Sequence, residues 1–241
     1  MCRRTWLACG EPSLRNIFVL KGKNLLTPIQ KAFLSAFVAL PDQSHFYLTG
    51  GTALAEFYLG HRLSFDLDFF TAEEALILPF SHSVEAIVAS HGFEVSVTRR
   101  FATFVEFLLR KGEETLRVDL ALDSPFRFEP PVLSEYGVQV NSFQDLKVDK
   151  VLAYYGRAEP RDAVDLYFIL REEELDPLLA LAARKDPGFD LYWFAIALER
   201  AADFPDEPER WPLKMLMAFD PVHLKRTFHK IALNLMSRVT S

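Results

Sequence analysis

The chain of 241 residues has very little cysteine and no long apolar run. Its two cysteines, Cys2 and Cys9, lie near the N-terminus and form neither a metal-binding pattern nor a disulfide framework. No segment approaches the roughly 18 apolar residues of a membrane-spanning helix. The apolar run at the N-terminus is also shorter than the signal-peptide core of about 7–15 residues. We therefore expect a cytoplasmic protein with no membrane partner.

The chain also lacks a net positive charge, which narrows the classes of partner that it can bind. The formal net charge is −6, whereas a general nucleic-acid-binding protein is usually basic. Any contact with nucleic acid must therefore be local. Carboxylates gathered around a metal would account for part of the negative excess. Hydrophobic residues make up 50% of the chain, enough for a core in one large domain or two small ones.

The order of patterns along the chain predicts an α+β protein, with a mixed half followed by a helical half. This interpretation divides the chain into a core over 25–140 and a helical domain over 141–241. Residues 1–24 precede the first helix, which Thr27 can cap, and form a candidate disordered leader. Helices are predicted over 26–40, 52–59, 84–90, 143–155, 161–170, 177–184, 192–202 and 222–238, and strands over 46–48, 62–69, 93–98, 101–110 and 115–123.

The most informative segment, Tyr47 to Phe70, reads YLTGGTALAEFYLGHRLSFDLDFF. A short strand, the pair Gly50-Gly51 and a helix that opens at Thr52 predict an anion site. Glycines let backbone N–H groups approach an anion closely, and the N-terminus of a helix carries positive partial charge. Most glycine pairs are only turns, so this motif gains its weight from the acidic residues that come after it in the chain.

Three aspartates lie on two strand patterns. Asp66 and Asp68 are two residues apart in an alternating stretch, which puts them on one face about 6–7 Å apart along a strand. Asp119 lies in the middle of the polar face of TLRVDLALD. Strands are usually poor in aspartate, and three carboxylates beside a glycine turn form an oxygen-rich cage suited to Mg²⁺ and a triphosphate. The alternatives are a solvated strand face and a contact of Asp119 with solvent or Arg117.

These motifs resemble the DNA polymerase β-type nucleotidyltransferases, which have a Gly-Gly or Gly-Ser turn, a helix, Asp-x-Asp and a third acid on a later strand. More closely, GGTALAEFYLGHRLSFDLDFF is similar to the first motif of the AbiEii/AbiGii-type toxin nucleotidyltransferases. A second motif of that family resembles LKVDKVLAYYGRAEPRDAVDLYFIL over 146–170. The resemblance implies a polymerase β-like core with a mixed sheet, followed by a helical C-terminal half that completes the active site.

The resemblance also implies which residues bind the nucleotide. Gly50, Gly51 and Thr52 would hold the phosphates of an NTP, and Lys150 would contact them from the helical half. A lysine is a point charge suited to phosphate. Lys147, one helical turn earlier, is the competing candidate for this role.

Four carboxylates take further roles by the same resemblance. Asp66 and Asp68 would bind two Mg²⁺ ions, and Asp119 would be the third metal ligand and activate the attacking hydroxyl. Asp162 would complete the site from the helical half. For Asp162, the alternative is a helix cap or a salt bridge with a neighbouring arginine.

The implied function is a Mg²⁺-dependent transfer of NMP from an NTP to an acceptor, with release of pyrophosphate. The resemblance suggests an RNA acceptor, such as a tRNA 3′ end, and a toxin–antitoxin or phage-defence context with an antitoxin protein as partner. Two alternatives stay open: transfer of AMP or phosphate to a protein hydroxyl, and a catalytically silent nucleotide-binding or protein-interaction module. Intact Asp66, Asp68 and Asp119 argue against the silent module.

Overall fold

A mixed sheet forms the centre of the protein, and a computed structural model describes it together with its helices over residues 19–239. Cys2, Cys9 and most of the candidate leader lie outside these residues. The strands are β1 (Tyr47–Thr49), β2 (Leu67–Thr71), β3 (Glu94–Phe101), β4 (Phe104–Lys111), β5 (Glu114–Leu122), β6 (Val132–Leu133) and β7 (Gln139–Val140).

The strand order in the sheet is β3-β4-β5-β2-β1-β7-β6. The middle strand β2 runs parallel to β5 and antiparallel to β1. Strands β3, β4 and β5 form an antiparallel meander, which includes the predicted hairpin between β4 and β5. The parallel pairing of β2 with β5 brings together two strands that are far apart in the sequence, and it sets the geometry of the site.

Helices pack against this sheet and against one another, and they dominate after residue 142. The first begins at Pro28, directly after the predicted cap Thr27, because Thr27 and Gln30 form a capping box. The second continues as a π-helix over Leu54–Leu59 and ends at Gly60. The helices are α1 (Pro28–Phe37), α2 (Gly50–Ala53), α3 (Glu74–Ser90), α4 (Phe143–Arg157), α5 (Pro160–Ile169), α6 (Leu175–Lys185), α7 (Leu191–Glu199) and α8 (Pro221–Val239).

Buried apolar side chains from both halves of the chain form one continuous core. Phe69 of β2 stacks on Phe37 of α1, with ring centroids 4.2 Å apart. Tyr58 stacks on Phe143 at the start of α4, with centroids 4.7 Å apart, and so joins the two halves. The packing therefore places α4 against the first half, while the domain boundary at residue 140 stays a prediction. Among the described residues, no helix is long and apolar enough to cross a membrane.

The predicted strand over 62–69 is wrong in its first part, because β2 begins only at Leu67. The preceding residues leave the sheet and pair with a segment from the helical half. The backbone N–H of Leu63 donates to the carbonyl of Lys214 at 2.8 Å, and Arg62 forms a bridge with Met215. A sequence pattern does not reveal such a distant partner. As a result Phe65, which alternates with Leu67 and Phe69 in the sequence, does not share their burial and is 52% exposed.

The predicted end of the leader also needs a correction. The backbone N–H of Leu20 donates to the carbonyl of Leu133 at 2.9 Å, and that of Gly22 donates to the Glu135 carboxylate at 2.6 Å. These residues therefore belong to the fold, although the sequence pattern places the end of the leader at residue 24. Their partners lie more than a hundred positions later, beyond the reach of a local pattern.

Candidate active site

A cavity of about 520 Å³ lies where β2 and β5 meet α4 and the start of α2. A second cavity of about 400 Å³ lies beside it and shares Gly50, Asp68 and Lys150 in its wall. The larger cavity brings together six of the eight predicted site residues: Gly50, Gly51, Asp66, Asp68, Asp119 and Lys150. The side chains of Thr52 and Asp162 do not line it.

The two glycines allow two functional side chains to approach the chain closely. Gly50 has a φ of +70°, in the left-handed region, and a Cβ atom there would collide with the carboxylate of Asp68. A Cβ atom at Gly51 would collide with the guanidinium of Arg62. Glycine is therefore required at this turn for the position of the side chains as well as for the conformation of the backbone.

Thr52 makes a structural contact with its side chain, while its predicted contact with phosphate stays a prediction. Its side chain is buried, and its hydroxyl donates to the backbone carbonyl of Asp66 at 2.5 Å. This bond ties the start of α2 to the residue that precedes β2. Thr52 therefore holds Asp66 in place from behind the cavity wall.

The three predicted carboxylates lie at the junction of β2 and β5. Asp68 is directly opposite Asp119 in the parallel register, and Asp66 comes just before β2. Burial raises the pKa of Asp68, and the nearby Lys150 opposes this rise. Burial and the Asp68 carboxylate together raise the pKa of Asp119 to about 7. Negative charge is thus crowded at this point, which favours a positively charged ligand.

The donor set suits Mg²⁺ chemically, although the side chains do not converge on one preformed position. Carboxylate oxygens are the ligands that Mg²⁺ prefers, and Asp119 Oδ1 is buried without a hydrogen-bond partner. Within residues 19–239, however, no group of three acid, histidine or cysteine side chains forms a metal-binding cluster. Arg117 lies between two of the acids: its Nη2 donates to Asp66 at 2.8 Å, and its Nε is 3.7 Å from Asp119 Oδ1.

Asp165 of α5 is a central residue that the sequence interpretation did not select. Its buried carboxylate accepts hydrogen bonds from Arg62 Nε at 2.7 Å and Arg62 Nη2 at 2.9 Å. Lys150 Nζ lies 2.8 Å from it, and His61 Nε2 lies 2.7 Å from it. Burial alone would raise the pKa of Asp165, but Arg62 and Lys150 hold it well below its usual range. An acid inside the apolar run AVDLYFIL is the sequence signal for such a buried anchor.

Asp162 supports the site from behind and does not complete the cavity wall. Its buried carboxylate accepts hydrogen bonds from Arg157 Nε at 2.5 Å and Arg157 Nη2 at 2.9 Å, and lies 3.6 Å from Lys150 Nζ. The salt bridge with a neighbouring arginine, the alternative considered for Asp162, is therefore present. Arg157 in turn lines both cavities.

The structure separates the two candidate lysines of α4. Lys150 lines both cavities. Lys147 lines neither of them: its Nζ donates to Glu173 at 2.7 Å and lies 4.7 Å from the centre of the Phe143 ring. Lys150 is therefore at the site, whereas Lys147, one helical turn earlier, joins α4 to Glu173.

Positive side chains outnumber the acids in the wall of the larger cavity. They come from both halves of the chain and give an acidic protein a local site for a polyanion. These side chains are Arg62, Arg117, Lys150, Arg157, Arg161 and Lys214.

This arrangement has a counterpart among known proteins. The family model of the AbiEii nucleotidyltransferase toxins of type IV toxin–antitoxin systems matches residues 32–220. The chain belongs to this AbiEii family. It is therefore a nucleotidyltransferase of the toxin type, for which the family implies an NTP substrate and an antitoxin partner.

Individual relatives and solved structures are similar to this chain over most of its length. A protein of Aquifex aeolicus is 29% identical over 189 residues, which cover 75% of this chain and 84% of the relative. Among solved structures, JHP933 from Helicobacter pylori has a TM-score of 0.59 at 18% identity, covering 87% of this chain and 90% of its own. The Mycobacterium tuberculosis nucleotidyltransferase toxin MenT4 has a TM-score of 0.55 at 17% identity, covering 86% and 82%. At these identities the structural matches establish the fold, a mixed sheet followed by helices.

Proposed function

We propose that this AbiEii-family chain transfers an NMP from an NTP to a hydroxyl at the 3′ end of an RNA, such as a tRNA, in the cytoplasm. The observation that carries the proposal is the register of β2 and β5. It places Asp68 opposite Asp119 in the wall of a cavity that Gly50 and Lys150 also line. The reaction needs charge neutralisation and positioning more than covalent chemistry by the protein.

In the proposed reaction, the acceptor hydroxyl oxygen forms a bond to the α-phosphorus of the NTP. The bond between the α-phosphorus and the oxygen bridging to the β-phosphate breaks, and pyrophosphate leaves with that oxygen. The proton of the hydroxyl passes to the carboxylate of Asp119. Its Oδ1 atom has no hydrogen-bond partner within the described part of the chain, so it is available as an acceptor.

Lys150 and Arg62 would bind the phosphates of the NTP. Both are buried cations anchored on Asp165, and both line the larger cavity. Cations that are held in place before the reaction stabilise developing charge without reorganisation. Backbone atoms of Gly50 and Gly51 lie in the same wall and allow close approach of the phosphate chain.

Asp66, Asp68 and Asp119 would hold the metal ions. Mg²⁺, when bound, supplies positive charge beside the attacking and leaving oxygens. Arg117 would then exchange its contact with Asp66 for one with the ion's other ligands or with phosphate. The chemistry of the donor set and the unpartnered Oδ1 of Asp119 support this assignment.

The experiment is to incubate the protein with each α-labelled NTP, Mg²⁺, and either total RNA or total protein. We expect label in RNA with the wild-type chain and none with Asp68→Asn, while the surface variant Asp42→Asn keeps wild-type labelling. Label in protein would favour the protein-modifying alternative. Absence of label from both pools would favour a silent nucleotide-binding module, and both of these results contradict the proposal.

A further inference from the structure

An exposed aromatic ring lies at the mouth of the larger cavity. Phe65 is 52% exposed, lines this cavity and immediately precedes Asp66. Single exposed apolar residues are common on protein surfaces, so exposure alone indicates little. This ring shares the cavity wall with the acids and the cations of the site, and that position calls for a specific explanation.

The backbone on both sides of Phe65 is held by hydrogen bonds. The carbonyl of Ser64 accepts from the side-chain amide of Gln30 at 3.0 Å, and the carbonyl of Asp66 accepts from Thr52 at 2.5 Å. Leu63 is tied to Lys214 through a backbone bond of 2.8 Å. Because both flanks are fixed, the exposure of the ring follows from the fold, and the ring is presented to the cavity in a defined place.

The two adjoining cavities suggest which substrate meets Phe65. Gly50, Asp68 and Lys150 line both cavities, but Asp119 and Phe65 line only the larger one. If Asp119 takes the proton of the attacking hydroxyl, as in the proposed function, the acceptor has to enter through the larger cavity. The smaller cavity is then left for the nucleoside of the NTP.

A free positive charge accompanies the ring. Lys214 is exposed, lines the larger cavity and forms no ion pair within residues 19–239, whereas Lys150 and Arg62 are both paired there. An aromatic face combined with an available cation is the arrangement by which proteins bind single-stranded nucleic acid. The base stacks on the ring, and the cation neutralises a backbone phosphate.

We propose that Phe65 stacks on the 3′-terminal base of the acceptor RNA and that Lys214 contacts its backbone phosphate. This inference rests on the proposed function and adds the subsite that receives the acceptor. Phe65 is an exposed residue, so its replacement leaves the core unchanged. Its role can therefore be measured without loss of the fold.

The test measures the affinity of a short single-stranded RNA ending in CCA for several variants. Phe65→Ala and Phe65→Leu should bind it roughly ten- to hundred-fold more weakly, as expected for loss of base–aromatic stacking. Phe65→Trp should restore the affinity, because it keeps an aromatic face. Trp193→Ala, which removes an aromatic that is 59% exposed on α7, is the matched control and should have no effect.

A second RNA, abasic at its 3′-terminal nucleotide, identifies the contact. The wild-type chain should bind this abasic RNA more weakly than the intact RNA, by the same factor by which Phe65→Ala weakens binding of the intact RNA. Phe65→Ala should bind the abasic and the intact RNA with equal affinity. NTP affinity should be equal in all variants. This equality also reports an intact fold.

Three results would overturn the inference. Equal RNA affinity of the wild type and Phe65→Ala, with RNA still labelled by the wild type, rejects this subsite but leaves the proposed function intact. A loss of NTP affinity in Phe65→Ala assigns the ring to the nucleotide. A loss of antitoxin binding at unchanged RNA affinity assigns it to a protein interface. Failure of the proposed function itself gives a different result, because the wild type would then label no RNA.

Discussion

At the scale of single residues, the site depends on carboxylates that lie behind the cavity wall. Asp165 accepts hydrogen bonds from Arg62, and its carboxylate contacts both Lys150 and His61. Asp162 holds Arg157 in the same way. These acids neutralise and orient the cations that line the cavity.

Replacing Asp165 by asparagine should destabilise the protein strongly. It would leave Arg62 and Lys150, which are 4% and 7% exposed, without their shared buried counter-charge. Breaking a buried pair in this way typically costs about 3–5 kcal/mol. The free energy of unfolding in urea measures this effect.

Asp162→Asn is the matched control for that prediction. Arg157, its main partner, is 46% exposed, so water can solvate the guanidinium when the carboxylate is lost. We expect a clearly smaller loss of stability than for Asp165→Asn. Equal losses for the two variants would show that Asp165 is not the principal anchor.

Lys150→Ala should reduce kcat/KM for the NTP by about a hundredfold or more, as expected when a group that stabilises transferred charge is removed. Lys147→Ala should leave kcat/KM close to that of the wild type, because Lys147 contacts Glu173 away from both cavities. Steady-state labelling kinetics on both variants make the comparison. A larger effect at Lys147 would move the phosphate contact by one helical turn.

At the scale of elements, the site is a consequence of where β2 begins and what it pairs with. Its parallel neighbour β5 sets Asp119 opposite Asp68. The segment before β2 leaves the sheet and pairs with residues 214–217 of the helical half. One short stretch therefore supplies Arg62 to the buried anchor and Phe65 to the cavity mouth.

The turn before α2 provides a prediction with a well-matched control. Gly50→Ala should abolish transfer, because the new methyl group would displace Asp68 and the residue would be strained at a φ of +70°. Gly112→Ala has nearly the same strain, at a φ of +62°, but no atom lies within 4 Å of its Cβ position. Each variant should lose about 1–2 kcal/mol of stability from the backbone alone.

Only Gly50→Ala should also lose labelling activity. Parallel measurements of the melting temperature and of the labelling rate separate the two effects. If Gly50→Ala transferred NMP at the wild-type rate, the close approach of the turn to Asp68 would have no role in the reaction.

At the scale of the whole molecule, stability should depend on pH through buried His61. Burial lowers the pKa of His61 below its usual value of 6.5, although Asp165 beside it acts in the opposite direction. Below about pH 6.5 the unfolded chain binds a proton that the folded chain does not bind. The contribution of His61 to the free energy of unfolding therefore falls as the pH decreases below 6.5, by at most about 1.4 kcal/mol per pH unit.

The measurement compares unfolding of the wild type and His61→Gln between about pH 7.5 and pH 5. Asp165, whose pKa lies well below its usual range, stays ionised in this interval. Asp119, with a pKa of about 7, is protonated first in the folded state, which stabilises the fold as the pH falls. Since Asp119 is present in both proteins, the difference between their pH slopes reports His61. Identical slopes would contradict the assignment of a neutral buried imidazole.

The sequence by itself determined the features that depend on neighbouring residues. Helical spacing placed most of the long helices within a few residues of their observed bounds, and Thr27 specified the first cap. The exception is α3, predicted over 84–90, which begins ten residues earlier at Glu74. Alternation and the rarity of aspartate in strands selected Asp66, Asp68 and Asp119, all of which line one cavity. These signals are local, because backbone periodicity and capping involve residues only a few positions apart.

Only the tertiary structure decided which partners the neighbouring side chains of one helix have. Lys150 and Lys147 are one turn apart on α4, and Asp165 and Asp162 are three apart on α5. Their orientation depends on how these helices pack on each other and on the sheet, through contacts between distant parts of the chain. The same holds for Phe65, which alternates with the buried Leu67 and Phe69 in the sequence but is exposed. The residues just before it, 61–63, pair with a segment about 150 positions later, and this pairing takes Phe65 out of the sheet, which no local pattern encodes.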